Sequence, residues 1–597
     1  MGRIAGIAAG LALWLGACAG AQPAPESRPR SVALPPQPTT ASPAPLAPSE
    51  ATAPGTRELV RELEQAERTA EPTQRWHETR RILAAIRALS DPRGADTLAT
   101  YVAEPRGWPT DPERVHRRTQ AAFALAELGD LRALPVLAAR LGLDPLTVYR
   151  DDDPNQAGLR RSDEERVIAA RLIADLAVLH PAEHERIRRE AQQAVRKWLE
   201  DGPQPHANGL RALARMQVQD GATRQQLLAW ADPPGALPKP GAMPPFEDKW
   251  LIAQSALRYT GALRDPKAWS ILDKQLARRP AALDLTMDSI MNGGLALVGM
   301  TVRALGIGAA SGFAEWGDAR AVPLLLRHID DDKQNEGSQD EACRALGATL
   351  DAKHEPELTK RLAKWRASKS KGAQRRVACL LEALRLRSVA KATPALLELT
   401  DAGSEPSFRM AAARALGYAG LDGAAEQALL GRLGSAETRP AAAVALLLGG
   451  SVEAARRAAE PFSSDTELAQ LREDYSQSLD VTREGDLESG RLFRFVRNAR
   501  ALTSLVRGQA PVDFALRSLA AHFGNVQYDA GPRSLTRVVL RKRLFDLARS
   551  GPDREAALDT LEVSAERGVL LALATGSDAT AKRAAEAAAR LGPVEPR

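Results

Sequence analysis

Residues 129–138 read GDLRALPVLA, and residues 317–326 read GDARAVPLLL. Gly, Asp, Arg, Ala and Pro hold the same places in both. Upstream of the first stands RRTQAAFALAEL (117–128), whose Ala121, Ala122, Leu125 and Leu128 recur at helical spacing. Upstream of the second stands the apolar GLALVGMTVRALGIGAASGFAEW. Each unit therefore reads as helix, Gly-Asp turn, helix. Gly129 and Gly317 suit the left-handed residue that ends a helix. Asp130 and Asp318 suit the cap of the next, accepting an N–H at the positive end of its dipole. Pro135 and Pro323 fall near that helix's start, where a missing donor costs least.

Weaker copies fill the intervals. RRVACLLEALRLRSVAKATPALLEL (375–399) ends in the same Pro-x-Leu-Leu form at Pro394. FRMAAARALGYAGLDGAAEQALLGRLG (408–434) keeps the alanines, Leu-Gly and Asp422 but drops the proline. Arg376 to Arg409 and Pro323 to Pro356 are each 33 residues. Segments 80–102, 166–187, 249–276 and 581–592 read as further members. A period in the thirties with two helices per unit means a solenoid, because no unit buries its apolar stripe alone. The Arg-x-Ala-Ala, Leu-Gly-Asp and Pro-x-Leu-Leu pattern resembles HEAT and HEAT-like (phycobilin-lyase-type) repeats, over roughly 75–450. The resemblance implies an all-α, elongated α-solenoid of stacked antiparallel helix pairs that binds other proteins. The Trp/Gly/Tyr signature of tetratricopeptide repeats is missing. Composition agrees: Ala, Leu, Arg and Glu dominate, aromatic residues make up 4%, and no sustained period-2 segment is evident.

The N-terminus stands apart. One charge, Arg3, precedes an apolar run from Ile4 to Ala17, too short to span a bilayer but suited to a signal-peptide core. The run ends in Leu15-Gly16-Ala17-Cys18, which resembles a bacterial lipoprotein lipobox. The resemblance implies removal of 1–17 and acylation of Cys18. Each buried CH₂ contributes about 0.8 kcal/mol, so two or more chains anchor stably where one is marginal. Ala19 after the cysteine implies, by that family's sorting rule, the outer membrane, at its periplasmic face or the cell surface. Residues 19–56 hold ten prolines among Ala, Ser and Thr. They read as a disordered tether that, fully extended, reaches on the order of 100 Å.

The expected organisation is 1–17 leader, 18–56 lipidated cysteine and linker, and 57–230 N-terminal repeats. A Pro-rich surface loop follows (231–248), then central repeats (249–462), a polar acidic loop (463–488) and a C-terminal helical block (489–597). The last continues the array or packs back on it. Residues 144–164 read as a polar loop. Segment 285–316, with six glycines and only Arg303 charged between Asp288 and Glu315, reads as two tightly packed buried helices rather than a membrane-dipping element.

Chemistry is scarce. His180-Pro-Ala-Glu-His184 matches the inverted zinc-protease form, but Pro181 puts His180 at a helix start and no third ligand is assignable, so capping by His180 and Glu183 is the better reading. DDDPNQAG (151–158) and DDDKQNEG (330–337) miss the residues a calcium loop requires. No nucleophile elbow or P-loop is present. No enzyme activity, metal or cofactor is expected. Cys343 and Cys379 lie 36 residues apart at near-equivalent repeat positions. A disulfide needs Cα atoms within about 7 Å, whereas helix axes pack about 8–10 Å apart, which favours two buried thiols.

Charge is the remaining signal. The net charge of +6 is mild for 597 residues. From Lys353 to Lys391, twelve Lys/Arg stand against three Glu, among them Lys360, Arg361, Lys364, Arg366, Lys369, Lys371, Arg375 and Arg376. Arg533, Arg537 and Arg541 share one helical face, within about 80°. These clusters are candidates for an anionic partner. Solvated, internally balanced faces are the competing account. The combined expectation is a lipid-anchored scaffold of the bacterial cell envelope that binds one or more envelope proteins and not nucleic acid. The alternatives are a binder of anionic glycolipid or polymer and, third, a HEAT-like lyase.

Overall fold

The computed structural model describes residues 55–591 except 70, 104–111, 143–145, 150–158, 163, 181–183, 202–206, 217–219, 234–248, 279–293, 332, 335, 369–370, 388–392, 463, 479–489, 506–535 and 565. These belong to one compact unit, Pro54–Arg597. The leader, Cys18 and the Pro-rich linker lie outside the described residues, as do most of the loop at 231–248 and Lys369 and Arg533.

The fold is all-α: helix pairs stacked side by side. In chain order the helices are α1 (Thr56–Ala66), α2 (Pro72–Leu89), α3 (Ala95–Val102), α4 (Pro112–Glu127), α5 (Leu134–Leu141), α6 (Glu164–Leu179), α7 (His184–Asp201), α8 (Ala207–Arg215) and α9 (Gly221–Ala231). The central stretch holds α10 (Lys249–Leu263), α11 (Pro266–Leu276), α12 (Gly294–Trp316), α13 (Val322–Asp330), α14 (Glu336–Thr349), α15 (Glu355–Arg366), α16 (Lys371–Arg387), α17 (Thr393–Leu399), α18 (Pro406–Ala419), α19 (Gly423–Arg432), α20 (Arg439–Gly449) and α21 (Val452–Ala459). The chain ends in α22 (Asp465–Ser478), α23 (Arg491–Leu505), α24 (Arg537–Ser550), α25 (Arg554–Val563), α26 (Arg567–Leu573) and α27 (Ala579–Arg590). From α2 to α20 the even-numbered helices pack consecutively as a first row, which continues through α23 to α25. Odd-numbered partners from α3 to α21 form a second row.

The Gly-Asp turns are built alike. Gly129 and Gly317 have φ of 77° and 68°, the left-handed region where a side chain is strained. Asp130 accepts from the Arg132 N–H and Asp318 from the Arg320 N–H, each opening a single 3₁₀ turn rather than the α-helix itself. Pro135 and Pro323 then sit in the first turn of α5 and α13. Pro394 starts α17, and Asp422 caps α19 by accepting from the Ala425 N–H.

Small residues set the row spacing. Within segment 285–316 the described residues form α12, and residues 285–293 lie outside the described set. Gly308 and Gly312 face α10: a Cβ on Gly312 would stand 2.6 Å from the Leu257 carbonyl oxygen, and one on Gly261 2.0 Å from that of Gly312. The glycines thus serve backbone contact between neighbours. No described helix is long and apolar enough to cross a membrane.

Three further expectations change. Within 144–164, Leu146–Tyr149 and Leu159–Ser162 pair as an antiparallel hairpin with Leu146 opposite Ser162; the run Leu-Thr-Val-Tyr has strand-forming residues. Within 463–488, α22 replaces loop. Ser464 and Glu467 form a reciprocal capping box, each accepting the other's N–H at 3.2 Å, and Leu471 and Tyr475 are buried four residues apart. Cys343 and Cys379 form a disulfide with Cα atoms 5.2 Å apart. The ordinary spacing of packed helices misled here, because Ala342, Ala345 and Ala383 line this seam of α14 and α16, and a Cβ on Gly347 would lie 2.8 Å from the Ala383 carbonyl oxygen.

The C-terminal block both continues the array and returns to its start. α25 packs on α23 and α27 on α25, while α24 packs on α6 and α26 on the turn at 92–94. The Arg541 guanidinium donates to the Glu127 carbonyl at 3.0 Å. An elongated array has free ends; here the path α6 to α23, α25, α24 and back to α6 is a closed circuit of helix contacts. Gly568 makes the return possible, since a Cβ there would stand 2.0 Å from the Leu89 carbonyl oxygen.

Gly568→Ala is expected to destabilise the fold by about 1–3 kcal/mol through overpacking and to speed hydrogen exchange in α24 and α26 before the central helices. Calorimetry and exchange mass spectrometry check this. Cys343→Ser with Cys379→Ser is expected to cost about 2–4 kcal/mol of stability by calorimetry, from the lost cross-link.

Candidate functional site

The basic run at 353–391 falls on α15, α16 and their flanks, where neighbouring repeats consume most of its charge. Arg361 pairs with Asp330 at 2.5 Å and Glu357 at 3.0 Å. Arg366 reaches Glu398 at 3.1 Å; Arg375 reaches Glu336 and Asp340, both at 2.9 Å. Arg376 donates to the Ile329 and Asp330 carbonyls and lies over the Trp365 ring. Lys360 and Lys364 are exposed. The side chain of Lys371 is outside the described set. Apart from Arg361–Glu357 within α15, these bridges join adjacent repeats, as do Arg132–Asp96, Lys274–Asp232 and Arg432–Asp401. Each exposed pair contributes about 0–1 kcal/mol, so their main effect is to cancel the patch.

The C-terminal arginines are also committed inward. Arg541 is 6% exposed, and its Nε donates to Glu566 Oε2 at 2.7 Å. The Arg537 Nε donates to Oε1 of the same carboxylate at 2.7 Å. Arg541 is therefore not part of a surface patch, a correction to the three-arginine face read from the sequence; its i, i+4 spacing serves a buried carboxylate. His180 is a tether rather than a zinc ligand: its Nε2 lies 2.6 Å from the Gly129 carbonyl oxygen. Glu183 lies outside the described residues, and among those described no group of His, Cys, Asp and Glu suits a metal ion. Asp330 and Asp331 of the second acidic turn hold Arg361 and the Lys333 N–H.

Where α24 meets the N-terminal repeats, a cavity of about 350 Å³ opens. Four first-row helices supply its walls: α2 with Arg87, α4 with Glu127, α6 with Arg171 and Asp175, and α8 with Arg211. Thr536, Arg537, Val538 and Arg541 close it. Arg87 pairs with Glu127 at 2.5 Å, and Arg215 with Asp175 at 3.2 Å. Arg211 is 4% exposed, and its Nη1 and Nη2 have no hydrogen-bond partner among the described residues. Burial pushes this guanidinium below the ordinary arginine range, although Asp175 opposes the shift. Sequence reading missed Arg171 and Arg211 because both look like ordinary polar positions of amphipathic helices. The only available signal was an arginine inside an otherwise Ala/Leu stripe, as in Leu210-Arg211-Ala212-Leu213.

The junction carboxylates have a definite pH dependence. Burial alone would raise Glu566, but Arg541 and Arg537 outweigh it and hold the carboxyl below its usual range. Burial alone would also raise Glu127, but Arg87 outweighs it and holds the carboxyl below its usual range. A carboxyl depressed in the folded state contributes stability that is full above its unfolded pKa and lost as pH falls through the folded one. The return of α24 and α26 is therefore expected to loosen selectively on acidification below the normal carboxylate range, seen as proteolysis or exchange confined to 536–591. Glu566→Gln, which leaves Arg541 buried without its counter-ion, is expected to cost about 3–5 kcal/mol by thermal unfolding.

No protein-family model matches the chain, and no curated protein matches it. Among solved structures it is similar to importin beta in an ammonium sulfate condition, at 14% identity and TM-score 0.29, over 86% of this chain and 71% of that one. It is similar to UNC-45 from Drosophila melanogaster at 13% identity and TM-score 0.27, over 89% and 82%. The S. pombe condensin Cnd3-Cnd2 subcomplex gives 13% identity and TM-score 0.24, over 89% and 91%. At such scores the likeness carries no argument, and the architecture rests on the helix pairs themselves.

Proposed function

We propose that this chain is a lipid-anchored scaffold of the bacterial cell envelope that binds partner protein through its stacked helices. One observation supports the reading above others: several second-row helices bury little of themselves. Among them, α9 buries Thr223, Leu227 and Ala231, α17 buries Leu396 and Leu399, and α19 buries Ala425 and Leu429. These three commit one narrow stripe to the stack and turn the rest outward, whereas α5 and α13 bury five residues each, so the outward surface is concentrated at particular repeats. The binding role is carried from the repeat class. The anchor rests on the lipobox-like Leu15-Gly16-Ala17-Cys18 and the outer-membrane placement on Ala19.

Crosslinking of the native protein in cells, read by mass spectrometry, is expected to join second-row lysines such as Lys360 and Lys364 to one recurrent envelope protein. Recovery of self-links alone sinks the reading. Cys18→Ser is expected to move the protein from the membrane fraction to the soluble fraction and to abolish labelling by a palmitate analogue.

A further inference from the structure

We infer that the cavity between α2, α4, α6, α8 and the N-terminus of α24 is a binding site for a compact phosphate-bearing anion, and that this anion fastens the C-terminal return to the first repeats. The site does not depend on the partner-protein reading.

The first argument is charge. Arg87, Arg171, Arg211 and Arg215 come from the N-terminal repeats, and Arg537 and Arg541 from α24. Against these six guanidinium groups stand Glu127, Asp175 and Glu566. A surplus of three positive charges converges on the junction, and at the buried Arg211 and Arg541 water screens poorly, while Arg87 and Arg537 remain partly exposed. Arg171 makes no ion pair among the described residues, and Arg211 none either. A buried guanidinium without a partner is costly and needs a compensating anion.

The second argument is direction. α24 is 14 residues long and begins at the cavity, with Thr536 as its cap: the Thr536 hydroxyl accepts from the Val539 N–H. Arg537 and Val538 line the cavity from the first turn, whose N–H groups have no acceptor within the helix. The positive end of the helix therefore faces the same volume as Arg211. Guanidinium forks converging from separate helices match a tetrahedral oxyanion, which offers acceptors on all sides, better than a planar carboxylate. A phosphate monoester carries about −1.5 to −2 charges at neutral pH and so offsets half or more of the surplus.

The third argument is size. A volume of about 350 Å³ lies at the small end of small-molecule sites. Ala84, Ala88 and Val538 give it an apolar wall, so a small organic substituent fits beside the phosphate. A polymer does not.

Titration calorimetry and thermal unfolding of the mature protein test this with inorganic phosphate, glycerol 3-phosphate and, at matched ionic strength, chloride. The expected result is saturable binding of one phosphate or phosphate ester per chain, a rise in melting temperature that chloride does not give, and slower exchange in α24. Tighter binding of the ester identifies an organic phosphate; equal binding identifies the free ion. Arg171→Met and Arg211→Met are expected to weaken binding at least tenfold. In phosphate-free buffer Arg211→Met is expected to melt no lower than wild type, because it removes an uncompensated buried charge. A lower melting temperature there, with the phosphate response intact, means that Arg211 is satisfied by the chain itself and overturns the proposal. So does a wild-type protein indifferent to both phosphates. If Arg211→Met does not fold, Arg211→Lys and Arg171→Met carry the same comparison.

Discussion

The seam between successive first-row helices is lined largely with alanine, leucine and glycine, and the rest of the molecule follows from how close that seam is. Ala441 to Gly449 of α20 are all buried, with no polar side chain among them. Such a helix has no stable existence alone: its apolar surface is covered only by the helices on both sides. Close contact explains the glycines of α10 and α12, and it brings Cys343 within bonding reach of Cys379. The thin seam also limits what each repeat contributes by apolar burial. The many Arg–carboxylate bridges between neighbours therefore fix register more than they add stability.

The echo at 129–138 and 317–326 made the architecture legible, since Gly, Asp and Pro each have a backbone reason to recur there. It did not reveal why arginine recurs as well. In both turns the guanidinium of the residue two after the aspartate, Arg132 or Arg320, grips the carboxylate that caps its own N–H. Asp91 and Arg93 repeat the arrangement. The α22 helix was legible in principle, because Ser-Asp-Thr-Glu is a capping box. The acidic, polar composition of its surroundings masked the signal.

The junction was not legible, for a physical reason. Period and composition report on neighbours along the chain, and the contact of Arg541 with Glu127 spans 414 residues. Arginines at i and i+4 look the same whether they face solvent or share a buried carboxylate. Gly568 likewise reads as a helix-weakening residue until the Leu89 carbonyl is set against it. The neutralisation of much of the candidate patch was hidden in the same way: the sequence showed the cations of 353–391 but not the carboxylates one repeat away, at Asp330, Asp340 and Glu398.

The two kinds of contact divide the labour of the fold. Along the row, stability comes from apolar seams that no change of pH or salt dissolves. At the return, Arg541 of α24, oriented by Glu566, donates to the Glu127 backbone carbonyl, and Gly568 of α26 meets the Leu89 carbonyl. Such a closure responds to protons and anions where the seams do not. In the proposed scaffold, a return fastened through one buried arginine and its carboxylate lets the outer row change its spacing without unfolding any repeat. Partner binding on that row and anion binding at the junction would then be linked, each favouring the arrangement the other prefers.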